Sequence, residues 1–356
     1  MHPPPDTLAL RERFHKVEFE AAAALGPCPD GVAQSYIDIE LPALPNGAEA
    51  WTNRTVVVHP TKPSPSAPLI IMLYGGGFQC GTIDQVLLPA RSCALRFGAV
   101  VACPSYHLCP EHQFPANVHS AYRAAAWVSD VNNLYKAVPG LQASGIVVDP
   151  VDAGFVITGI SAGSNLAAVI AGVLAASPEK QAELLAGGLP LFKAPLTGVF
   201  LCIPFLTTEE VVPEKYRPLF KSRVENAEAA ALPLTFVQRM TELYAANTRS
   251  PWFSPLALND GTGANNFLPA KHASKVFLQV CSEDVLRDDA VIYQQWLEDA
   301  GGIDTQLVMM EGYGHSAWAT QNLTSEEHRL GLKTKKLEGI AWLLGKEWDG
   351  NVDGVY

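Results

Sequence analysis

Eight short runs of aliphatic and β-branched residues punctuate the chain. They are QSYIDIEL (34–41), NRTVVVH (53–59), PLIIMLY (68–74), GAVVACP (98–104), GFVITG (154–159), TGVFLCI (197–203), SKVFLQVC (274–281) and TQLVMME (305–311). The later runs are almost continuously apolar, the pattern of parallel strands covered on both faces. Helical periodicity fills the gaps at Asp84 to Phe97, Ala116 to Val131, Ala162 to Ala176, Val285 to Ala300 and Ser325 to Lys346. The alternation predicts an α/β protein with a mostly parallel eight-stranded sheet, helices on both faces and room for antiparallel pairing among the first strands.

Two stretches depart from this rhythm. Thr7 to Leu25 has an amphipathic helical pattern closed by GPCPDG, and Pro204 to Asn259 separates two predicted strands with a helix expected over Val224 to Ala246. A long insertion inside a compact domain usually has a function, often as a lid. The chain therefore reads as one domain, 1–356, with a helical cap contributed by about residues 1–33 and 204–259.

Composition narrows the classes. A net charge of -11 without a Lys/Arg cluster argues against nucleic acid and against an anionic membrane surface as partners. The apolar run after Ser161 is interrupted by Ser164, Asn165 and glycines, so it reads as a buried helix and no membrane span is expected. No basic segment followed by an apolar core opens the chain, so no secretory signal is read. Seven cysteines (Cys28, Cys80, Cys93, Cys103, Cys109, Cys202 and Cys281), odd in number and without a C-x-x-C pair, suit reduced thiols in the cytoplasm. His107, His112 and His119 share a loop at spacings that match no familiar zinc arrangement, so no metal is expected.

The candidate chemistry begins at GISAGSN, where Ser161 stands between two glycines after a strand and before a helix. Serine there can simply cap the helix, or it can be a nucleophile on a sharp strand-to-helix turn. Its partners decide, and open α/β sheets gather them beyond the carboxyl ends of the strands. PLIIMLY is followed by GGGF (75–78), SKVFLQVC by SEDVLRDD with Asp284, and TQLVMME by GYGHSAW with His315. Glycine-rich loop, serine, aspartate, histidine is the order expected for nucleophilic acyl chemistry. Glu283, Asp288 and Asp289 compete for the acid's place; Asp288 and Asp289 are expected to cap or salt-bridge on the surface. GGGF lacks G-K-[ST], so nucleotide binding is not expected.

From about Leu69 to the C-terminus the chain resembles the alpha/beta hydrolase fold-3 group, the hormone-sensitive-lipase-like esterases. YGGGF stands for that family's HGGGF, SYHLCPEHQFPA for DYRLAPEhpFPA, and GISAGSN for GDSAGGN. SEDVLRDD and GYGHSAW match its aspartate and histidine loops, while PLTGVFLCIP and VPEKY are reminiscent of fungal members. The resemblance implies an alpha/beta-hydrolase fold and hydrolysis of small to medium or specialised carboxylic esters without a cofactor. Its departures are Tyr74 before the glycines, Ser105 and His107 in place of an Asp and an Arg, Ile160 before the serine, and Ser316 and Ala317 after the histidine.

The expected mechanism has Ser161 as nucleophile, His315 as general base and then acid, and Asp284 orienting the histidine. The N–H groups of Gly75, Gly76, Gly77 and Ala162 are the expected oxyanion donors, Gly75 and Gly76 foremost. Tyr74, Phe78, Phe205, Tyr216, Phe220 and Trp252 are candidate walls of the substrate pocket. Acyl transfer, lactonase or cyclase chemistry with the same residues is the alternative, as is a non-catalytic binding protein on a hydrolase scaffold. Oligomeric state is left open between monomer and homodimer.

Overall fold

A computed structural model describes residues 3–259, 265–318 and 326–351. All eight predicted strands form: β1 (Val32–Leu41), β2 (Trp51–Pro60), β4 (Leu69–Leu73), β5 (Val100–Pro104), β7 (Phe155–Ile160), β8 (Gly198–Cys202), β9 (Lys275–Cys281) and β10 (Asp304–Met310). Two short strands, β3 (Ser64–Ala67) and β6 (Ile146–Val148), pair separately. Among the described residues the main sheet runs β1-β2-β5-β4-β7-β8-β9-β10. Its first two strands pair antiparallel, β2 meets β5 antiparallel, and every later pairing is parallel.

Burial explains the hydrophobic runs. Every residue of β4, β5 and β8 is buried, whereas the edge strands β1 and β10 alternate or stay half-exposed. Helices Leu87–Phe97 and Glu326–Leu343 pack on one face; Ala116–Val128, Ala162–Leu174 and Arg287–Ala300 cover the other. No helix among the described residues is long and apolar enough to cross a membrane.

Several helix boundaries differ from expectation. The segment from Asp84 splits into a 3-10 turn, Ile83–Val86, and the helix from Leu87. Pro89 has no N–H to donate to Gln85, so one continuous α-helix would lose that bond. The helix expected to reach Val131 stops at Val128, and Asp130 caps a separate one by accepting from the Asn132 N–H at 3.1 Å. Within 224–246 the main helix is only Leu234–Tyr244, beginning after Pro233. The C-terminal helix is Glu326–Leu343; its expected first residue, Ser325, lies outside the described residues, as do Met1 and His2 of the cap segment.

The N-terminal helix, Pro5–Ala24, forms, and none of its apolar residues is fully buried. Its buried residues are Thr7 and Glu18, while Leu8, Val17 and Phe19 are exposed. Polar bonds hold it: Arg11 donates to the carbonyls of Gln79 (2.7 Å) and Cys109 (2.8 Å) and forms a forked pair with Glu111.

Asp288 and Asp289, expected at the surface, are buried. Backbone N–H groups from the 204–259 insertion and an arginine come to them. Asp289 accepts from the N–H of Leu206 (2.8 Å) and Thr207 (3.1 Å) and pairs with Arg223 at 2.7 Å, while Asp288 accepts from those of Lys221 and Ser222, each at 2.6 Å. Burial pushes Asp289 up to about 6, against the opposing pull of Arg223 and the two N–H donors. Removing one partner of a buried ion pair leaves the other charge uncompensated. Asp289→Ala is therefore expected to destabilise the fold by about 3–5 kcal/mol. Urea unfolding checks this; a loss below about 1 kcal/mol, the value of a surface pair, would contradict the anchoring role.

Candidate active site

Ser161 sits at the turn between β7 and the helix Ala162–Leu174, with φ 54° and ψ −115°. A non-glycine residue rarely adopts positive φ, and such strain persists only where the surroundings enforce it. Here the Ser161 N–H donates to the Cys202 carbonyl at 2.9 Å, and the Ser161 carbonyl accepts from Asn165 at 3.1 Å. The Ser164 hydroxyl lies 2.6 Å from the Gly159 carbonyl and 2.9 Å from that of Cys202, tying the first helical turn to two strands. Close approach explains the flanking glycines. A Cβ on Gly163 would lie 2.3 Å from the Leu73 carbonyl oxygen, and one on Gly159 would lie 2.2 Å from Gly163.

The structure brings the predicted serine, histidine and aspartate together. Ser161 Oγ is 2.9 Å from His315 Nε2, and His315 Nδ1 is 2.7 Å from Asp284 Oδ2. Asp284 follows β9 and its side chain is 1% exposed; His315 follows β10 and is 12% exposed. The other Asp284 oxygen accepts the Leu286 N–H at 2.9 Å, which aims the carboxylate. The two loops are joined, Glu283 N–H to the Tyr313 carbonyl at 2.9 Å and Gly312 N–H to the Ser282 hydroxyl at 2.8 Å. With Nδ1–H donated to Asp284, Nε2 is left to accept the serine proton, the tautomer needed for a general base.

The glycine loop corrects one expectation. The Gly75 N–H, expected among the foremost oxyanion donors, is donated to Gln85 Oε1 at 2.6 Å. No hydrogen-bond partner for the N–H of Gly76 or Gly77 occurs among the described residues. Tyr74 serves as the loop's anchor. Its ring stacks on Tyr106 at 4.3 Å, and Tyr106 donates its hydroxyl to the Tyr74 carbonyl at 2.9 Å. Burial pushes the Tyr74 hydroxyl far above its ordinary range, so it stays neutral. Where the family carries an Asp and an Arg, neutral contacts occur: Ser105 donates to the Arg54 carbonyl at 2.8 Å, and His107 stacks between Trp51 and His112. Burial, with His112 and Arg123 nearby, lowers His107 to about 4, so it is uncharged at neutral pH.

The six aromatic candidates are each engaged by neighbouring side chains. Phe78 is buried against Tyr244, Phe205 against Phe253, and Trp252 against His119 and Tyr122. Tyr74 is taken up by Tyr106, Tyr216 donates to Asp299 at 2.7 Å, and Phe220 lies under the Arg223 guanidinium. Aromatic side chains bury large areas against one another, and that packing uses these faces.

Residues that sequence reasoning missed reach the centre from the N-terminal helix and the 204–259 insertion. Asn226 donates to the carbonyls of Ser282 (3.0 Å) and Asp284 (2.9 Å), bracing the acid's loop. Met240 covers Gly77 so closely that a Cβ there would lie 2.7 Å from its sulfur. Glu18 accepts from Thr82 and Gln85 beside the glycine loop. Neither periodicity nor motif spacing signals such contacts.

Comparison with known proteins places this geometry. A family model described as the alpha/beta hydrolase fold matches residues 70–319. The chain is 26% identical over 341 residues to the AB hydrolase superfamily protein B1A11.02 of Schizosaccharomyces pombe, covering 94% of this chain and 87% of that one. It is 27% identical over 245 residues to Esterase LipI of Mycobacterium tuberculosis, with 68% and 63% covered. It is also 26% identical over 284 residues to the FAD-linked oxidoreductase pytB of Aspergillus terreus, covering 80% of this chain but only 30% of that protein's length. Among solved structures, a vibralactone cyclase superposes with a TM-score of 0.74 at 24% identity, over 97% of this chain and 91% of that one. The family match extends from β4 through the glycine loop, the serine turn and the aspartate loop to the histidine loop, and the chain belongs to the alpha/beta hydrolase fold family.

Proposed function

We propose that this protein is a serine hydrolase that cleaves small-molecule carboxylic esters through an acyl-enzyme on Ser161. The observation that carries the reading is the unbroken line from Ser161 Oγ through His315 to the buried Asp284. Its likeness to Esterase LipI supports the same reaction class. His315 takes the serine proton as Oγ attacks the ester carbonyl, then returns it to the leaving alkoxide. The N–H groups of Gly76, Gly77 and Ala162 stabilise the oxyanion, each donor contributing about 3 kcal/mol to the transition state. Water, activated by the same histidine, releases the acid.

The cap reading assigns substrate size to residues 3–33 and 204–259. It is supported by Met240 on Gly77, by the Arg239–Asp6 ion pair that joins the two segments, and by Asn226 on the aspartate loop. A cytoplasmic location belongs to the same proposal and is supported by seven cysteines without a disulfide.

Ser161→Ala is expected to lower kcat for p-nitrophenyl acetate by at least about 10⁴-fold while the far-UV spectrum and Tm stay those of the wild type. Asp284→Asn, which favours the wrong histidine tautomer, is expected to lose about 10⁴-fold in kcat. A wild type inert toward acetate, butyrate and octanoate esters would overturn the reading, and so would a Ser161→Ala enzyme that keeps its turnover.

A further inference from the structure

The Gly75 N–H is held in a chain of hydrogen bonds that ends on the N-terminal helix. Gly75 donates to Gln85 Oε1 at 2.6 Å, Gln85 Nε2 donates to Glu18 Oε1 at 2.9 Å, and the Thr82 hydroxyl donates to Glu18 Oε2 at 2.8 Å. The amide's orientation follows from its neighbours: an N–H must face its oxygen, and a carboxylate must face its NH₂. Glu18 is 6% exposed, the buried carboxylate of a helix whose Leu8, Val17 and Phe19 are exposed.

The chain fixes a particular peptide plane. The Tyr74–Gly75 unit is gripped at both edges, its N–H by Gln85 and its carbonyl by the Tyr106 hydroxyl at 2.9 Å. Gly75 packs directly on the serine turn, since a Cβ there would lie 2.7 Å from the Ile160 carbonyl oxygen and 3.3 Å from Ser161 Cβ. The next two residues along the chain are Gly76 and Gly77. Rotation of this plane would therefore turn their N–H groups relative to Ser161.

We infer that Glu18 and Gln85 are positioning residues of the active centre: Glu18 orients the Gln85 amide, which fixes the Gly75 N–H and thereby the aim of the Gly76 and Gly77 donors. The inference rests on the ester-hydrolase reading for its kinetic consequence, though not for the hydrogen-bond chain itself. A misaimed donor acts on the developing oxyanion more than on the bound ester, so the effect falls on kcat. Two further bonds of the helix point to the same place, with Arg11 on the Gln79 carbonyl and Thr7 Oγ1 donating to Gln79 Oε1 at 3.4 Å. Burial raises Glu18 to about 7, with Asp84 adding to the rise and the bonds from Thr82 and Gln85 opposing it. Assays at about pH 8 therefore keep it the carboxylate that accepts from Gln85.

The test exchanges the two side chains. Glu18→Ala and Gln85→Leu, assayed on p-nitrophenyl acetate, are each expected to lower kcat by about 10- to 100-fold with KM within about twofold of wild type. Gln85→Glu alone sets two carboxylates face to face and is expected to lose as much. Adding Glu18→Gln to Gln85→Glu restores the chain in reverse, Gln at 18 donating to Glu at 85 while Glu at 85 accepts from Gly75. That double variant is expected to recover kcat to within about threefold. Hydrogen–deuterium exchange gives a readout independent of turnover: Glu18→Ala and Gln85→Leu should speed exchange in the peptide from Leu69 to Gln79 and leave that around Asp284 unchanged. Unaltered exchange in that peptide, or a reciprocal exchange that recovers nothing, would overturn the inference. A wild type without esterase activity would instead overturn the reaction assigned above, and the exchange data would still decide the role of Glu18 and Gln85.

Discussion

The centre depends first on one backbone constraint. The chain must leave a buried parallel strand at Ile160 and enter a helix at Ala162 with a serine in positive φ between them. Such a conformation costs on the order of 1–3 kcal/mol and survives only under enforcement. Enforcement comes from the sheet, through the Cys202 carbonyl on the Ser161 N–H, the Ser164 hydroxyl on two carbonyls, and helix-to-strand contact at Gly163. Ser161 is thus placed by elements that are buried and mutually bonded, while its oxygen faces His315.

A second level of order comes from three aspartates in one short stretch. Asp284, Asp288 and Asp289 are all buried, yet their partners divide them. Asp284 meets the imidazole, Asp288 collects two backbone N–H groups of the insertion, and Asp289 pairs with Arg223. The segment that orients the histidine therefore also anchors the 204–259 insertion, and Asn226 closes the circuit by bonding back to the Asp284 carbonyl. The insertion and the aspartate loop share hydrogen bonds on one side, while the N-terminal helix bonds to residues beside the glycine loop on the other.

The strands were legible because parallel strands buried on both faces write continuous apolar runs, and β4, β5 and β8 are buried throughout. The serine, aspartate and histidine were legible because the fold places chemistry just past strand ends. Polar docking was not. Apolar periodicity registers a helix held by hydrophobic area, whereas Pro5–Ala24 is held by Thr7, Arg11 and Glu18. The engagement of Gly75 depends on a glutamine ten positions onward whose amide points back only once the 3-10 turn has formed. The aromatic residues offered as pocket walls pack on other side chains, Phe78 on Tyr244 and Phe205 on Phe253, and a residue's type does not say which apolar environment it will meet.

Activation by His315 is expected to make Ser161 a stronger nucleophile than any other hydroxyl or thiol in the chain. Treatment with diethyl p-nitrophenyl phosphate followed by intact-protein and peptide mass spectrometry tests it most directly. The account predicts one diethylphosphoryl group per chain, located on Ser161, with labelling abolished in His315→Ala. An unmodified wild-type chain, or a group carried by another residue while Ser161 stays free, would contradict it.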